Sequence, residues 1–195
     1  MSEYILRSAR YIAREYMEKV LREGSTAVDA TMGNGHDTET LARLVGEKGR
    51  VYAFDVQEAA VRATRERLDA AGLLGRVTLF QESHAKMAEL VPEAPDLAVF
   101  NLGWLPGGDK TVTTLLSSTE EAVRQALSLI HPGGMVLICC YPGHAEGRRE
   151  LTFLEDLFSS LPPRQFNCLE HTFLNAGQDA PRCFAVQKQS SIHNS

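Results

Sequence analysis

The chain has 195 residues, of which 44% are apolar and 23% are charged, as in a globular protein with one buried core. Its net charge of −5 argues against non-specific nucleic-acid binding, which depends on an excess of Lys and Arg. A local basic patch is not excluded. No apolar segment is long enough to cross a bilayer, and residues 1–14 lack the pattern of a secretory signal, so we expect a cytoplasmic protein.

Helical and strand patterns alternate along the chain. The spacing of Ile5, Ile12, Tyr16 and Val20 predicts an amphipathic helix over residues 4–22. Later segments predict strands at 25–31, 50–56, 77–81, 97–101 and 135–141, with helices at 38–45, 58–71, 84–90, 118–130 and 146–161. Nearly continuous apolar strands separated by helices are typical of a parallel sheet with helices on both faces.

The last two predicted strands, at 166–174 and 183–188, are joined by a loop too short for a helix. This connection requires an antiparallel hairpin, which we place at the edge of the sheet. Earlier in the chain, a capping box from Ser118 to Glu121 is expected to begin the helix at 118–130. We predict a single domain over residues 1–189 and a disordered tail at 190–195.

The four cysteines form no C-x-x-C pair. Cys139 and Cys140 are neighbours in a predicted strand, so their side chains point to opposite faces and are poorly placed to share a metal ion. We expect buried thiols and no metal site.

A glycine turn follows the first strand, in the segment Asp29-Ala30-Thr31-Met32-Gly33-Asn34-Gly35. In doubly wound sheets, ligands bind at this edge. Asp55 ends the second strand 22 residues after Gly33, a spacing at which an acidic side chain accepts hydrogen bonds from a ribose. The pattern predicts a nucleoside-binding site.

A cationic nucleoside fits this turn better than a dinucleotide. Thr38 replaces the third glycine of G-x-G-x-x-G, and Asp37 at the helix start would repel a diphosphate. S-adenosyl-L-methionine offers an adenosine to Asp55 and positive charges to Asp29 and Asp37. Gln57 and the pair Ser83-His84 are further candidates for the nucleoside, although His84 could instead be a surface helix cap.

The edge hairpin and the turn from Leu129 to Gly134 resemble those of class I S-adenosylmethionine-dependent methyltransferases. This resemblance implies a Rossmann-like α/β fold with a mostly parallel seven-stranded sheet, an antiparallel edge hairpin and helices on both faces.

The segment Asn101-Leu102-Gly103-Trp104 follows the fourth strand, where amino-methylating enzymes carry an Asn/Asp-Pro-Pro-aromatic motif. The Asn101 amide oxygen could accept an amine N–H and orient its lone pair, and Trp104 could stack on a base. Leu102-Gly103 replaces Pro-Pro, so attack on an exocyclic base amine is not implied. Alternatively, Trp104 is a packing anchor in a simple turn.

Two loops could complete the acceptor site. Pro106-Gly107-Gly108-Asp109 has the composition of a mobile lid, and Tyr141-Pro142-Gly143-His144 ends the fifth strand. A protonated alkyl amine must lose a proton before it attacks, and His144 or Asp109 could take that proton or only orient the substrate. Arg7, Arg10 and Arg14 share a face of the first helix, which is either a solvated face or an RNA-backbone contact.

Together, "DATMGNGHDT", "NLGWLPGGDK" and "YPGH" resemble a small bacterial family labelled rRNA methylase. Some members are tRNA 5-(aminomethyl)-2-thiouridine methyltransferases of the MnmM type. The resemblance implies a homodimer and a contact of residues 101–109 with the modified uridine. It also implies a cofactor pocket formed by Asn34, His36, Asp37, Asp55, Gln57, Ser83 and His84.

The resulting hypothesis is an S-adenosyl-L-methionine-dependent N-methyltransferase for the aminomethyl group of the tRNA wobble uridine. The alternatives are an rRNA or small-molecule amine methyltransferase and a non-catalytic cofactor-binding module. The intact acceptor segment argues against the non-catalytic module.

Overall fold

A seven-stranded sheet forms the centre of the computed structural model, which describes residues 8–103 and 114–190. Its strands are β1 (Thr26–Asp29), β2 (Arg50–Phe54), β3 (Val77–Phe80), β4 (Leu97–Asn101), β5 (Met135–Cys140), β6 (Phe166–His171) and β7 (Arg182–Lys188). Their spatial order is β3-β2-β1-β4-β5-β7-β6, and β7 is antiparallel to both of its neighbours. The predicted class I methyltransferase topology and edge hairpin are confirmed.

Six α-helices in the described ranges cover the two faces of the sheet. They are α1 (Ala9–Val20), α2 (His36–Val45), α3 (Glu58–Ala70), α4 (Met87–Leu90), α5 (Leu116–Leu129) and α6 (Ala145–Ser160), with short 3-10 turns at Leu74–Arg76 and His84–Lys86. One buried cluster unites α1, α2 and α3 with the sheet, and the other unites α4, α5 and α6 with it. Cys139 and Cys140 lie in different clusters, as the strand pattern predicts.

The predicted capping box at Ser118 is wrong. The helix α5 begins two residues earlier, at Leu116, whose backbone N–H donates to Glu146 Oε1 at 2.8 Å. Thr119 lies inside the helix and donates to the buried Glu150 at 2.8 Å. Glu146 of α6 therefore accepts the hydrogen bond at the start of α5 that a side chain of the capping box was expected to accept. It can do so because the two helices pack together.

Other boundaries differ by a few residues. The helix α2 begins at His36, earlier than predicted, and β1 and β6 end at Asp29 and His171, before their predicted ends. Residues 4–7 of the predicted first helix and 191–195 of the predicted tail lie outside the described residues. None of the described helices combines the length and apolar character needed to span a membrane.

An ion pair joins the amino ends of the central strands. Asp96 precedes β4, accepts from the Thr26 N–H at 2.8 Å, and lies 2.8 Å from His131 Nε2. The other ring nitrogen, Nδ1, lies 2.6 Å from the Pro132 carbonyl. Only an imidazolium can donate to both oxygens. The hydrogen bond to Asp96 accordingly raises the pKa of His131 above its usual value.

We expect His131→Gln to destabilise the protein more at pH 5.5 than at pH 9. A raised histidine pKa contributes stability that is present below the ordinary pKa and is lost as pH rises through the folded-state value. Urea unfolding of both proteins at each pH measures the difference, in which other titrations cancel. An equal destabilisation at both values would contradict the assignment.

Candidate active site

A cavity of about 680 Å³ opens at the carboxyl ends of the parallel strands. It is lined by residues of the nucleoside motif (residues 29–35 with Asp55) and of the acceptor motif (residues 101–104), which are far apart along the chain. The predicted site residues that line it are Arg10, Thr31, Gly33, Asn34, His36, Asp37, Asp55, Gln57, Ser83, His84, Asn101, Leu102, Gly103, Tyr141 and His144. The nucleoside motif and the acceptor motif thus share one cavity.

The remaining predicted site residues fall into two groups. Asp29, Gly35 and Arg14 do not line the cavity, and Arg14 instead pairs with Glu18 at 3.1 Å on the exposed side of α1. The second group lies outside the described residues and consists of Arg7, Trp104, Pro106, Gly107, Gly108 and Asp109.

Asp29 supports the glycine turn from inside the protein. Its side chain is buried, accepting from the Thr31 N–H at 3.1 Å and from the Thr38 hydroxyl at 2.6 Å. Burial, reinforced by the nearby charge of Asp37, raises the pKa of Asp29 to about 7. The carboxylate therefore faces the turn and not the cavity, and Thr38 has a supporting role that sequence reasoning missed.

The turn itself has a left-handed backbone at Gly33 and Gly35, with φ of 51° and 77°. A Cβ on Gly35 would lie 2.9 Å from the Thr64 Cα, so α3 approaches the turn closely. Thr64 donates to the Gly33 carbonyl at 2.9 Å, and Arg67 donates to the Asn34 carbonyl at 2.8 Å. These α3 contacts were also missed, because nothing local in the sequence links α3 to the turn.

Asp55 binds the turn from the end of β2. Its two oxygens accept separate backbone bonds, from Gly33 at 3.1 Å and from Gln57 at 2.9 Å. Burial raises the pKa of Asp55, and these hydrogen bonds oppose that shift. Each carboxylate oxygen has a further lone pair, so Asp55 can also accept from the hydroxyls of a ribose.

His84 has a defined tautomer. Its Nδ1 lies 3.0 Å from the Ala30 carbonyl, which can only accept, so Nδ1 carries the proton. Burial lowers the pKa of the ring, and Nε2 has no partner within the described parts of the chain. A ligand that donates a hydrogen bond would satisfy this buried acceptor. The alternative of a surface cap is wrong, because Ser83 caps the short helix by accepting from the Ala85 N–H at 3.2 Å.

Asp37 connects α1 to the acceptor motif. One carboxylate oxygen, Oδ1, lies 3.1 Å from Arg10 Nη2, and the other, Oδ2, accepts from Asn101 Nδ2 at 3.2 Å. The Asn101 backbone N–H donates to Thr31 Oγ1 at 2.7 Å. Arg10 is therefore engaged at the cavity and does not belong to a purely solvated arginine face.

His144 caps α6. Its Nδ1 accepts from the Gly147 N–H at 3.1 Å, so a neutral ring carries its proton on Nε2. The cap occupies the lone pair of Nδ1. This geometry favours an orienting role over proton transfer. The close packing at this cap leaves no room for a side chain at Gly147, because a Cβ there would lie against the Tyr141 carbonyl.

The base of the acceptor segment is closed by hydrogen bonds. The Gly103 N–H donates to Thr114 Oγ1 at 3.0 Å, and the Thr114 N–H donates to the Gly103 carbonyl at 3.0 Å. Leu102 N–H donates to the Cys139 carbonyl at 2.9 Å, which continues the pairing of β4 with β5. Gly103 and Thr114 thus lie paired beside the cavity, which both residues line.

Comparison with known proteins places this site in a family. The family model described as "Putative rRNA methylase" matches residues 51–187. The chain belongs to this rRNA methylase family. A family structure from Clostridium thermocellum shares 32% identity with a TM-score of 0.92, and the match covers 95% of this chain and 100% of that one.

Two other relatives bear on the site of this rRNA methylase family member. A methyltransferase structure from Streptococcus mutans, solved in complex with SAH, shares 31% identity, with a TM-score of 0.85 and coverage of 94% and 99%. A chloroplastic tRNA (mnm(5)s(2)U34)-methyltransferase from Arabidopsis thaliana is 38% identical over 87% of this chain. The chain spans only 65% of the length of that relative.

The described residues contain no cluster of three or more His, Cys, Asp or Glu side chains that could hold a metal ion. The carboxylates of Asp37 and Asp55, which line the cavity, are instead bound to side chains or to backbone N–H groups.

We expect Asp55→Ala to weaken the binding of S-adenosylhomocysteine by about 1–3 kcal/mol, because a charged hydrogen-bond acceptor is lost. Isothermal titration calorimetry measures the change. Glu58→Ala is the matched control, since Glu58 is an exposed acid at the start of α3 that does not line the cavity. Unchanged affinity in the folded Asp55 variant would remove Asp55 from the binding site.

Proposed function

We propose that the protein is an S-adenosyl-L-methionine-dependent N-methyltransferase acting on the aminomethyl group of 5-aminomethyl-(2-thio)uridine at the tRNA wobble position. The product would be 5-methylaminomethyl-(2-thio)uridine. One observation carries the proposal, namely that Asn101 of the acceptor motif and Asp55 of the nucleoside motif line the same cavity. The name of the Arabidopsis relative supports this choice of substrate.

The residues of the cavity fit the nucleoside part of this cofactor. Asp55 would bind the ribose hydroxyls, and the buried His84 Nε2 would accept a hydrogen bond from the ligand. The backbone of Gly33 and Asn34 is fixed by α3, so this wall is formed in advance. When bound, the cofactor supplies a methyl group attached to a positively charged sulfur.

The acceptor amine would lie beside Asn101. The hydrogen bond from its backbone N–H to Thr31 holds the main chain of Asn101 at the end of β4, and its side chain donates to Asp37. An amine held there by its N–H has a lone pair free to attack, and such positioning is a main source of rate enhancement in a displacement reaction. Trp104 and Asp109 keep their predicted roles in stacking and proton transfer as part of this proposal.

The RNA would approach from the side of α1 and the acceptor segment. Leu102, Gly103 and Tyr141 line the cavity there. Contacts of Arg7 and Arg14 with the RNA backbone, the homodimer, the single domain over residues 1–189 and the cytoplasmic location stay predictions.

Methyl transfer to tRNA tests the proposal. Labelled S-adenosylmethionine is incubated with tRNA from cells that lack the enzyme, and the nucleosides are analysed by mass spectrometry. We expect one added methyl on 5-aminomethyl-2-thiouridine, whereas tRNA from wild-type cells should accept little because it is already modified. No transfer despite cofactor binding would reject the tRNA substrate and favour a small amine.

We expect Asn101→Ala to lower turnover at least about tenfold, because the amine loses its orienting partner. Binding of S-adenosylhomocysteine should change little. Single-turnover kinetics and calorimetry separate the two effects, with Asn167→Ala on the exposed face of β6 as the control. If affinity and turnover fall equally, Asn101 belongs to the cofactor pocket instead.

A further inference from the structure

We infer that Arg10 and Asp37 are positioning residues that determine which atom of the Asn101 amide faces the methyl acceptor. The inference rests on the proposed function, since it concerns the amine that Asn101 would hold. It assigns to α1 a part in the reaction that lies beyond cofactor binding.

The orientation of Asn101 follows from its partner. A carboxylate can only accept hydrogen bonds, so the atom 3.2 Å from Asp37 Oδ2 must be the amide nitrogen and not the oxygen. The amide oxygen, Oδ1, then points away from Asp37. No donor to Oδ1 is found among the residues that the structure describes, and Asn101 lines the cavity. Oδ1 is therefore the atom offered to a ligand.

This orientation matters for an amine acceptor. A neutral amine donates its N–H to Oδ1 and keeps its lone pair available. If the amide were reversed, its NH₂ group would donate to that lone pair and occupy the electrons needed for attack. In the transfer itself, the lone pair forms the new N–C bond while the C–S bond breaks and its electrons stay on sulfur. The nitrogen becomes a secondary ammonium that retains both of its protons.

Arg10 holds Asp37 in the required rotamer. Both Nε and Nη2 of Arg10 contact Oδ1, at 3.4 and 3.1 Å, and this leaves Oδ2 for Asn101. A rotation of the carboxylate would break both sets of contacts. Asp37 also lies in the first turn of α2, where the helix dipole favours a negative charge.

The location of α1 makes this arrangement sensitive to helix packing. The helix packs on β5 and β7 through Ala13 and Met17, which are buried. Arg10 extends from the same helix to the mouth of the cavity, where its side chain is 47% exposed. A helix that lies outside the alternating strand and helix pattern thus contributes to the acceptor site.

Asp37→Asn is the sharpest test, because an amide at position 37 accepts either orientation of Asn101. We expect turnover with tRNA to fall at least about tenfold while the affinity for S-adenosylhomocysteine changes less than about threefold. Arg10→Ala should act in the same direction. Arg65→Ala, which removes an exposed arginine of α3, should leave turnover unchanged.

A second readout is independent of the substrate. In the ¹⁵N–¹H NMR spectrum, the Asn101 side-chain amide is assigned by its loss in Asn101→Asp. We expect one proton of this NH₂ group to resonate downfield in the wild type and to return toward the values of exposed asparagines in Asp37→Asn and Arg10→Ala. The Arg65 variant should match the wild type.

The outcomes separate the two proposals. If the wild type transfers no methyl to tRNA, the proposed function fails, and the amide signal still decides whether Asp37 orients Asn101. If the wild type is active but Asp37→Asn keeps full turnover or an unchanged amide signal, the positioning role is overturned. Loss of cofactor affinity in parallel with turnover would also overturn it, because Asp37 would then act through the cofactor.

Discussion

The buried carboxylate of Asp29 is the interaction on which the site depends. By accepting from Thr31 and Thr38, it joins the end of β1 to the first turns of α2 and so fixes the path of the glycine turn. Thr31 donates its backbone N–H to Asp29, and its side-chain hydroxyl accepts from the backbone N–H of Asn101, which connects this turn to the neighbouring strand β4. A single buried acid thereby sets the distance between the nucleoside side and the acceptor side of the cavity.

The aspartates near the cavity differ in what surrounds them. Asp29 is enclosed and has a pKa of about 7, Asp55 is bound by two backbone N–H groups, and Asp37 is paired with an arginine. Bringing several acids into one region is costly unless each has donors or a counter-charge. Arg10 provides that counter-charge from outside the α/β repeat, which gives α1 an electrostatic as well as a packing role.

Much of the architecture follows from sequence pattern, because apolar strands, glycine turns and the short final connection are local signals. The cavity residues Asp55 and Asn101 were found because strand ends meet at one edge of the sheet. The capping box at Ser118 failed because α6 caps α5 across space. The inward direction of Asp29, the salt bridge of Arg10 and the supporting bonds of Thr64 and Arg67 depend on how helices pack, which periodicity does not encode.

The paired hydrogen bonds between Gly103 and Thr114 have an evolutionary consequence. Gly103 and Thr114 are held together by their own hydrogen bonds, so sequence changes between these two positions need not disturb the strands or the glycine turn after β1. The methyl acceptor could then change through substitutions between Gly103 and Thr114 while the strands and helices stay the same. Related enzymes with the same cofactor turn could acquire different substrates by this route, without redesign of the core.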